Sequence, residues 1–175
     1  VSAADLNTLN GLTTVDIDAG NVTTITSSGL DAINTLYTSG GFSGLGNETI
    51  AITDELTVTQ ANTLDDLTTG SIVATIGNTR VSNLLGSASL SDANGNNAYT
   101  ISISTEDAAV SASDLNAINA ITSIAVNLAN VNSITASDFT DLTTLNANRD
   151  EFSNITGITA ITVTDNGGSA ESVDY

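Results

Sequence analysis

The sequence predicts an α/β solenoid with one parallel β-sheet, and a repeat and two local patterns carry that prediction. Residues 1–54 recur in the same order at residues 108–165, and residues 55–107 repeat that order in degraded form. In each copy, two short runs alternate apolar with small polar residues, as strands do, and helical patterns lie between them. We therefore expect one elongated domain over residues 1–165, built from three two-coil copies, with residues 166–175 as a linker or the start of a next repeat.

Internal periodicity is the strongest evidence for this architecture, because stacked repeats recur at a fixed spacing along the chain. Residues 1–7 align with 110–116, and after a two-residue insertion 50–54 align with 161–165. The middle copy aligns 62–69 with 7–14 of the first copy and then drifts. The three copies thus share one order of elements.

Six segments with strand-like alternation are predicted to stack in a row as parallel strands: 15–18, 50–53, 72–76, 101–104, 124–128 and 161–164. Strands joined at such short spacing through helices require parallel crossover connections. The side chains expected to point inward are Val15 and Ile17, Ile50 and Ile52, Ile101 and Ile103, Ile124 and Val126, and Ile161 and Val163. A parallel β-solenoid, in which the short helices are turns or further strands, is the alternative.

Helical patterns lie between these strands. Ser2, followed three residues later by Asp5, predicts a capped helix N-terminus, and Ser111 with Asp114 repeats it. A longer helix is expected to begin after Ser27 or Ser28 and to end at Gly40-Gly41, with a counterpart after Ser137. The helices are expected to turn these residues toward the sheet: Leu6, Leu9 and Leu12; Leu30, Ile33, Leu36 and Tyr37; Leu64 and Leu67; Leu115, Ile118 and Ile121; Phe139, Leu142 and Leu145.

The composition excludes several classes of function. Twenty acidic residues against two arginines give a net charge of −18, so the chain repels nucleic acid and anionic lipid surfaces. The chain contains no Cys, His or Lys, which removes thiolate metal sites, the commonest general base and Schiff-base chemistry. No apolar run approaches the ~20 residues of a membrane span. A start without Met and without a leader is typical of a piece cut from a longer protein.

Two aspartates are the best candidates for catalysis. Asp16 and Asp18 flank Ile17 and are expected on one face of a strand, where paired carboxylates can perform acid–base chemistry. Their repeat positions hold Ala125 and Asn127, which favours a solvated pair over a hydrolase site. We therefore expect a protein that is not an enzyme.

A calcium loop is the more serious ligand hypothesis. Residues 91–97 place side-chain oxygens at alternate positions, on Asp92, Asn94 and Asn96, as hard-cation loops do. The loop departs from the EF-hand pattern, and an Asn-Gly turn is the alternative interpretation. No other cofactor is expected. The acidic pairs Asp65-Asp66 and Asp150-Glu151 are interpreted as exposed charges.

The run 121–134, followed by Phe139 and Leu142, resembles a leucine-rich repeat, with Asn130 one place later than that family's asparagine. The resemblance implies a solenoid with a parallel sheet on one face.

A second resemblance covers more of the chain. Residues 1–7, 21–26 and 44–48 look like the repeats of giant acidic, Cys-free secreted and cell-surface proteins of marine cyanobacteria and other Gram-negative bacteria. That resemblance implies an extracellular structural segment: a stalk, a surface-layer unit or a filament building block. Its partners are then neighbouring repeats or identical subunits, end to end. The alternative is an adhesin that binds surface glycans, with or without calcium.

Overall fold

The computed structural model describes residues 1–93, 95–164 and 170–174, which form a mixed α/β fold with parallel sheets. In these residues there are six α-helices: α1 Ala3–Asn10, α2 Leu30–Thr38, α3 Val58–Asp65, α4 Val81–Leu85, α5 Ala112–Asn119 and α6 Phe139–Ala147. The strands are β1 Ile17–Asp18, β2 Thr24–Ser27, β3 Phe42–Ser43, β4 Thr49–Leu56, β5 Ile72–Thr79, β6 Ala98–Ile103, β7 Ala109–Ser111, β8 Val126–Asn127, β9 Ser133–Ser137, β10 Phe152–Ser153, β11 Ala160–Thr164 and β12 Ala170–Asp174. Short 3₁₀ turns cover Arg149–Glu151 and Ile155–Gly157. None of these helices combines the length and apolar character needed to cross a bilayer.

The strands form three sheets rather than the single sheet that the sequence predicts. Six parallel strands follow the order β10-β8-β6-β5-β4-β2; β7, β9 and β11 form a second parallel row closed by antiparallel β12; and β1 pairs with β3. Strands that precede a helix pair with one another, as β7 with β9, and strands that follow a helix do the same, as β1 with β3. The strands before helices and the strands after helices therefore form two separate rows. The two rows join at the long strands β4, β5 and β6.

The predicted row of six strands also differs in membership. The predicted strands at 15–18 and 161–164 are present as β1 and β11, but β1 pairs with β3 and β11 with β9. Their places at the two ends of the six-stranded row are taken by β2 and β10.

Every parallel pairing joins residues a similar distance apart in the sequence. Thr24 lies beside Thr49, Phe152 lies beside Val126, and the other parallel pairs have comparable separations. Side chains on the helices follow the same spacing, since the Asn7 amide donates to the carbonyl of Ala32 over 2.9 Å. The chain thus returns beside itself once in about 25 residues.

Helices recur at the positions that the repeat predicts. α5 begins and ends at the residues that align with the ends of α1, and α6 does the same with respect to α2. The predicted N-caps are confirmed: Ser2 accepts a hydrogen bond from the N–H of Asp5 over 3.1 Å, and Ser111 accepts one from Asp114 over 3.0 Å. α3 holds the matching place in the middle copy and starts with a capping box of Thr57 and Gln60. The division into three copies stays a prediction.

Aliphatic side chains from strands and helices form one continuous core. The prediction of inward residues is confirmed for Ile50, Ile52, Ile101, Ile103 and Val126, which are all buried. It is wrong for Val15 and Ile124, which are 73% and 38% exposed. Strands β1 and β8 begin two residues later than predicted, so these two residues lie in turns.

The predicted helix faces are correct in part. Leu6, Ile33, Leu36, Leu64, Leu115, Ile118 and Leu145 are buried as expected. Leu9, Leu12 and Phe139 were expected inside and are exposed. None of the three belongs to the core cluster or packs against it: Leu9 and Phe139 lie on outer faces of α1 and α6, and Leu12 lies in the turn after α1.

Candidate functional site

The loop at residues 91–97, which leads into β6, carries the predicted calcium ligands. The Oδ1 atom of Asp92 accepts hydrogen bonds from the backbone N–H groups of Asn96 and Asn97, both over 3.0 Å. The N–H of Gly95 donates to the carbonyl of Asp92 over 3.1 Å, with Gly95 in the left-handed region at φ +68°. Asp92 therefore closes a tight turn with one of its two carboxylate oxygens. Asn96 is exposed, and Asn94 lies outside the described residues.

Asp65, the last residue of α3, anchors this loop and was missed by the sequence analysis. Its side chain is almost fully buried, so the prediction of an exposed charge is wrong for Asp65, while Asp66 is exposed as expected. Its Oδ2 atom accepts from the Ser91 hydroxyl over 2.6 Å and from the Ala93 N–H over 3.2 Å. Its Oδ1 atom accepts from the Asn97 amide over 2.7 Å. Three neutral donors thus replace the water that a buried carboxylate loses.

Asn97 joins this carboxylate to the sheet. It is fully buried, and its Oδ1 atom accepts from the N–H of Ile72 at the start of β5 over 2.7 Å. Its amide also donates to the Tyr99 hydroxyl over 3.1 Å. Burial, reinforced by the charges of Asp65 and Asp92, raises the pKa of Tyr99 well above its ordinary value. The phenol therefore stays neutral in the folded chain.

A second contact fixes the same loop to α3. Asn62 donates to the carbonyl of Ser89 over 2.8 Å and accepts from the N–H of Ser91 over 2.8 Å. At the equivalent repeat positions, the buried Oδ1 atoms of Asn7 and Asn116 have no partner among the described residues. The loop before β6 thus gives the Asn62 oxygen a partner that the Asn7 and Asn116 oxygens lack among the described residues.

A second buried carboxylate holds another turn. Glu48 is fully buried, and its carboxylate accepts from the N–H of Gly46 over 2.9 Å and from the Tyr37 hydroxyl over 2.7 Å. Burial first, and then Glu48, raise the pKa of Tyr37. The backbone of Glu48 also passes so close to Gly70 that a Cβ there would lie 2.3 Å from the Glu48 carbonyl oxygen. This carboxylate is therefore built into a turn and not presented to a ligand.

Among the described residues, no three acidic side chains converge on one point. Asp92 lies in the predicted calcium loop and Asp65 is bonded to that loop, and both carboxylates use oxygens in hydrogen bonds within the chain. The calcium hypothesis stays a prediction. The geometry supports a structural role for these residues. Hydrogen bonds of Asp65 and Asn97 connect α3, the loop and the start of β5.

The predicted acid–base pair is open to solvent. Asp16 and Asp18 are both exposed, and Asp18 Oδ1 accepts a hydrogen bond from the N–H of Gly20 over 2.9 Å. Neither residue is placed in an apolar environment of the kind that tunes a catalytic carboxyl group. Asp150 and Glu151 are exposed as expected, and Glu151 accepts from the Asn119 amide.

An open groove of about 730 Å³ lies where β4 and β5 end and α3 and α4 begin. Its lining consists of hydroxyl, amide and small apolar groups, with Glu55 as the one ionisable residue among those described. Thr57, Asn78, Ser82 and Asn83 supply polar side chains along it. Such a surface can form hydrogen bonds to a polyol. Among the described lining residues, Glu55 has no second ionisable group with which it could form an acid–base pair.

Comparison with known proteins adds no identification, because no family model, curated protein or solved structure matches the chain.

Proposed function

We propose that this chain is a non-catalytic structural segment of an extracellular assembly, such as a stalk, a surface layer or a filament, and that it is built as an α/β solenoid. The observation that carries the proposal is the similar sequence separation, between 20 and 27 residues, across every parallel strand pair among the described residues. In such an architecture each coil contacts only its neighbours, and stability is close to a sum of the contacts between adjacent coils.

Links between neighbouring coils support a mechanical role. Alongside the strand pairs, side-chain amides on α1, α3 and α5 donate to backbone carbonyls one coil further on, at Ala32, Ser89 and Asp141. An ion pair between Arg80 and Glu106 makes another such link. Many parallel links of this kind share a force applied along the stack.

The surface charge fits the same role. A net charge of −18 keeps neighbouring copies soluble at high concentration, and salt outside a cell screens the repulsion between them. The buried carboxylates Glu48 and Asp65 hold turns in place through hydrogen bonds within the chain.

Immunogold labelling of cells that produce the chain tests this proposal. With an antibody against the chain, we expect label on unpermeabilised cells, spread along a layer or a projecting structure. The control is an antibody against a protein inside the same cells. Label that appears only after permeabilisation would overturn an extracellular structural role.

The polar groove beside α3 and α4 favours a second candidate, a glycan-binding adhesin. Its hydroxyl and amide lining can recognise a sugar through hydrogen bonds. A glycan array probed with and without calcium tests this alternative, with Asn78→Ala as the matched variant because Asn78 is an exposed lining residue. Saturable binding that Asn78→Ala weakens would support the adhesin. Binding that the variant leaves unchanged would show that the groove is not the glycan site.

A further inference from the structure

One side of α1 is exposed at positions that are buried in its repeat counterpart. α1 and α5 occupy the same place in their copies, so Leu9 corresponds to Ile118 and Leu12 to Ile121. Leu9 and Leu12 are 46% and 80% exposed, whereas Ile118 is fully buried and Ile121 packs against the core. The same apolar surface is therefore covered in one copy and open in the other.

The chain itself shows what covers this surface on α5. α4 packs against α5, and the turn after α5 is bonded to the start of β6. The N–H of Ser123 donates to the carbonyl of Asn97 over 2.8 Å, and the Thr122 hydroxyl donates to the carbonyl of Tyr99 over 2.7 Å. α4 and the start of β6 thus cover this side of α5.

The corresponding positions after α1 lack these contacts. Thr13 and Thr14 align with Thr122 and Ser123 in the repeat, and both are exposed. Asn130 donates to the carbonyl of Ile103 over 2.8 Å, whereas Asn21, at the equivalent position, is exposed. We define Leu9, Leu12, Thr13 and Thr14, together with the edge of β1, as the leading face.

A strand edge is open at the same place. β8 pairs with β10 on one side and with β6 on the other. Its repeat counterpart β1 pairs with β3 on one side, and among the described residues no strand lies on the other. The leading face therefore combines an apolar patch with an unpaired strand edge.

The opposite end of the described chain presents a matching surface. α6 holds the repeat position of α2, and by chain order α4, like them, is the second helix of its copy. Phe139 on α6 is 78% exposed, whereas Leu30, its counterpart on α2, packs against the core. β10 is the outermost strand of the six-stranded row. We define this surface, α6 with β10, as the trailing face.

We infer that the leading face binds the trailing face of a second copy of this chain, head to tail, so that α6 of one copy packs on α1 of the next as α4 packs on α5 within the fold. The inference rests on the proposed structural function and names its contact surface. β12 covers the outer edge of β11, so α6 and β10 carry the contact. A heterologous contact of this kind leaves a free face at each end, and chains of copies can grow from it.

Sedimentation equilibrium tests the inference. In about 0.5 M NaCl the Debye length falls to ~4 Å, which screens repulsion between copies that each carry a charge of −18. We expect the weight-average mass of the wild-type chain to rise with concentration from 17.6 kDa to at least twice that value. Leu12→Glu and Phe139→Glu should each stay monomeric. Thr63→Glu, which adds the same charge at an exposed position of α3, should associate like the wild type.

Mixing the two face variants gives the sharpest readout. Leu12→Glu keeps an intact trailing face and Phe139→Glu keeps an intact leading face, so the mixture should form a dimer that grows no further. Both side chains are exposed, and melting curves that match the wild type will show that each variant is folded.

Three outcomes would overturn the inference: a wild-type chain that stays at 17.6 kDa, a mixture that stays monomeric, or a Phe139→Glu variant that associates as the wild type does. The last outcome would instead indicate contact between two leading faces. If the chain is monomeric in sedimentation but immunogold label lies outside the cell, the head-to-tail inference fails and the proposed structural function is retained. If immunogold label is confined to the cell interior, the structural function fails whatever mass sedimentation gives.

Discussion

Asn97 donates a 2.7 Å hydrogen bond to the buried carboxylate of Asp65, and through its other end it holds the N–H of Ile72, also over 2.7 Å. One neutral side chain thus satisfies a buried acidic acceptor and a buried backbone donor. Loss of this side chain would leave both groups without that partner, which makes Asn97 a sensitive point of the fold.

Replacing Asn97 with alanine should lower the free energy of unfolding by ~3 kcal/mol, because a buried backbone donor and part of a buried carboxylate lose their partner. Urea unfolding measures the change. Asn96→Ala is the matched control, since Asn96 is an exposed neighbour in the same loop, and it should shift stability by no more than ~0.5 kcal/mol. Equal losses in both variants would contradict the bridging role of Asn97.

The stability of the chain should fall above pH 10. Burial and the neighbouring carboxylates raise the pKa of Tyr99 above its ordinary value of 10.0, so the unfolded chain releases this proton first as the pH rises. The contribution of protonated Tyr99 to the free energy of unfolding is complete below pH 10. It is lost above pH 10, by up to about 1.4 kcal/mol per pH unit. With no Lys, Cys or His in the chain, the other tyrosines are the groups to consider there, and Tyr37, whose pKa burial and Glu48 also raise, should contribute in the same direction.

Urea midpoints measured between pH 8 and pH 11 in wild type and Tyr99→Phe will check this effect. Tyr99→Phe removes the proton in question, so its stability should fall less steeply above pH 10. Identical slopes in the two proteins would show that another group controls alkaline unfolding.

Calcium and magnesium at equal ionic strength should raise the melting temperature of the chain equally, because both screen a net charge of −18. Asp92→Asn should respond as the wild type does, since Asp92 Oδ1 is already held by two backbone N–H groups. Differential scanning fluorimetry measures the shifts. An excess shift with calcium that disappears in Asp92→Asn would instead establish the predicted calcium loop.

The two equivalent helix caps should contribute equally. Ser2→Ala and Ser111→Ala should each lower the free energy of unfolding by about 1 kcal/mol, because each removes the acceptor for a first-turn N–H. Ser113→Ala, on an exposed face of α5, serves as the control and should have little effect. A loss confined to one of the two caps would argue against repeat equivalence.

Sequence reasoning located the long elements well. The capped starts of α1 and α5 could be predicted because Ser followed by Asp three residues later is a local signal that needs no tertiary contact. Strands such as β4 and β6 could be predicted because their alternating Ile residues face one core. β3 and β10 could not, because no alternating apolar run surrounds their two residues, as one does around β1 and β8.

The number of sheets and the buried charges were beyond the reach of local patterns. Which strand pairs with which depends on where the chain returns, and β1 shows no sign in its own residues that it pairs with β3 and not with β4. Asp65 resembles its exposed neighbour Asp66 in sequence, and only the folded loop supplies the three donors that bury it. A polar residue at the inward position after Leu64 was the available signal.

α1 and α2 begin and end at residues that align in the sequence with the ends of α5 and α6, and this coincidence has an evolutionary consequence. An in-frame duplication or deletion that runs from one helix start to its aligned counterpart adds or removes whole helices together with their own N-terminal residues, and it cuts none of them. Such an event changes the length of the chain by complete helices. Each new connection then joins segments that are already connected in the same way elsewhere in the fold.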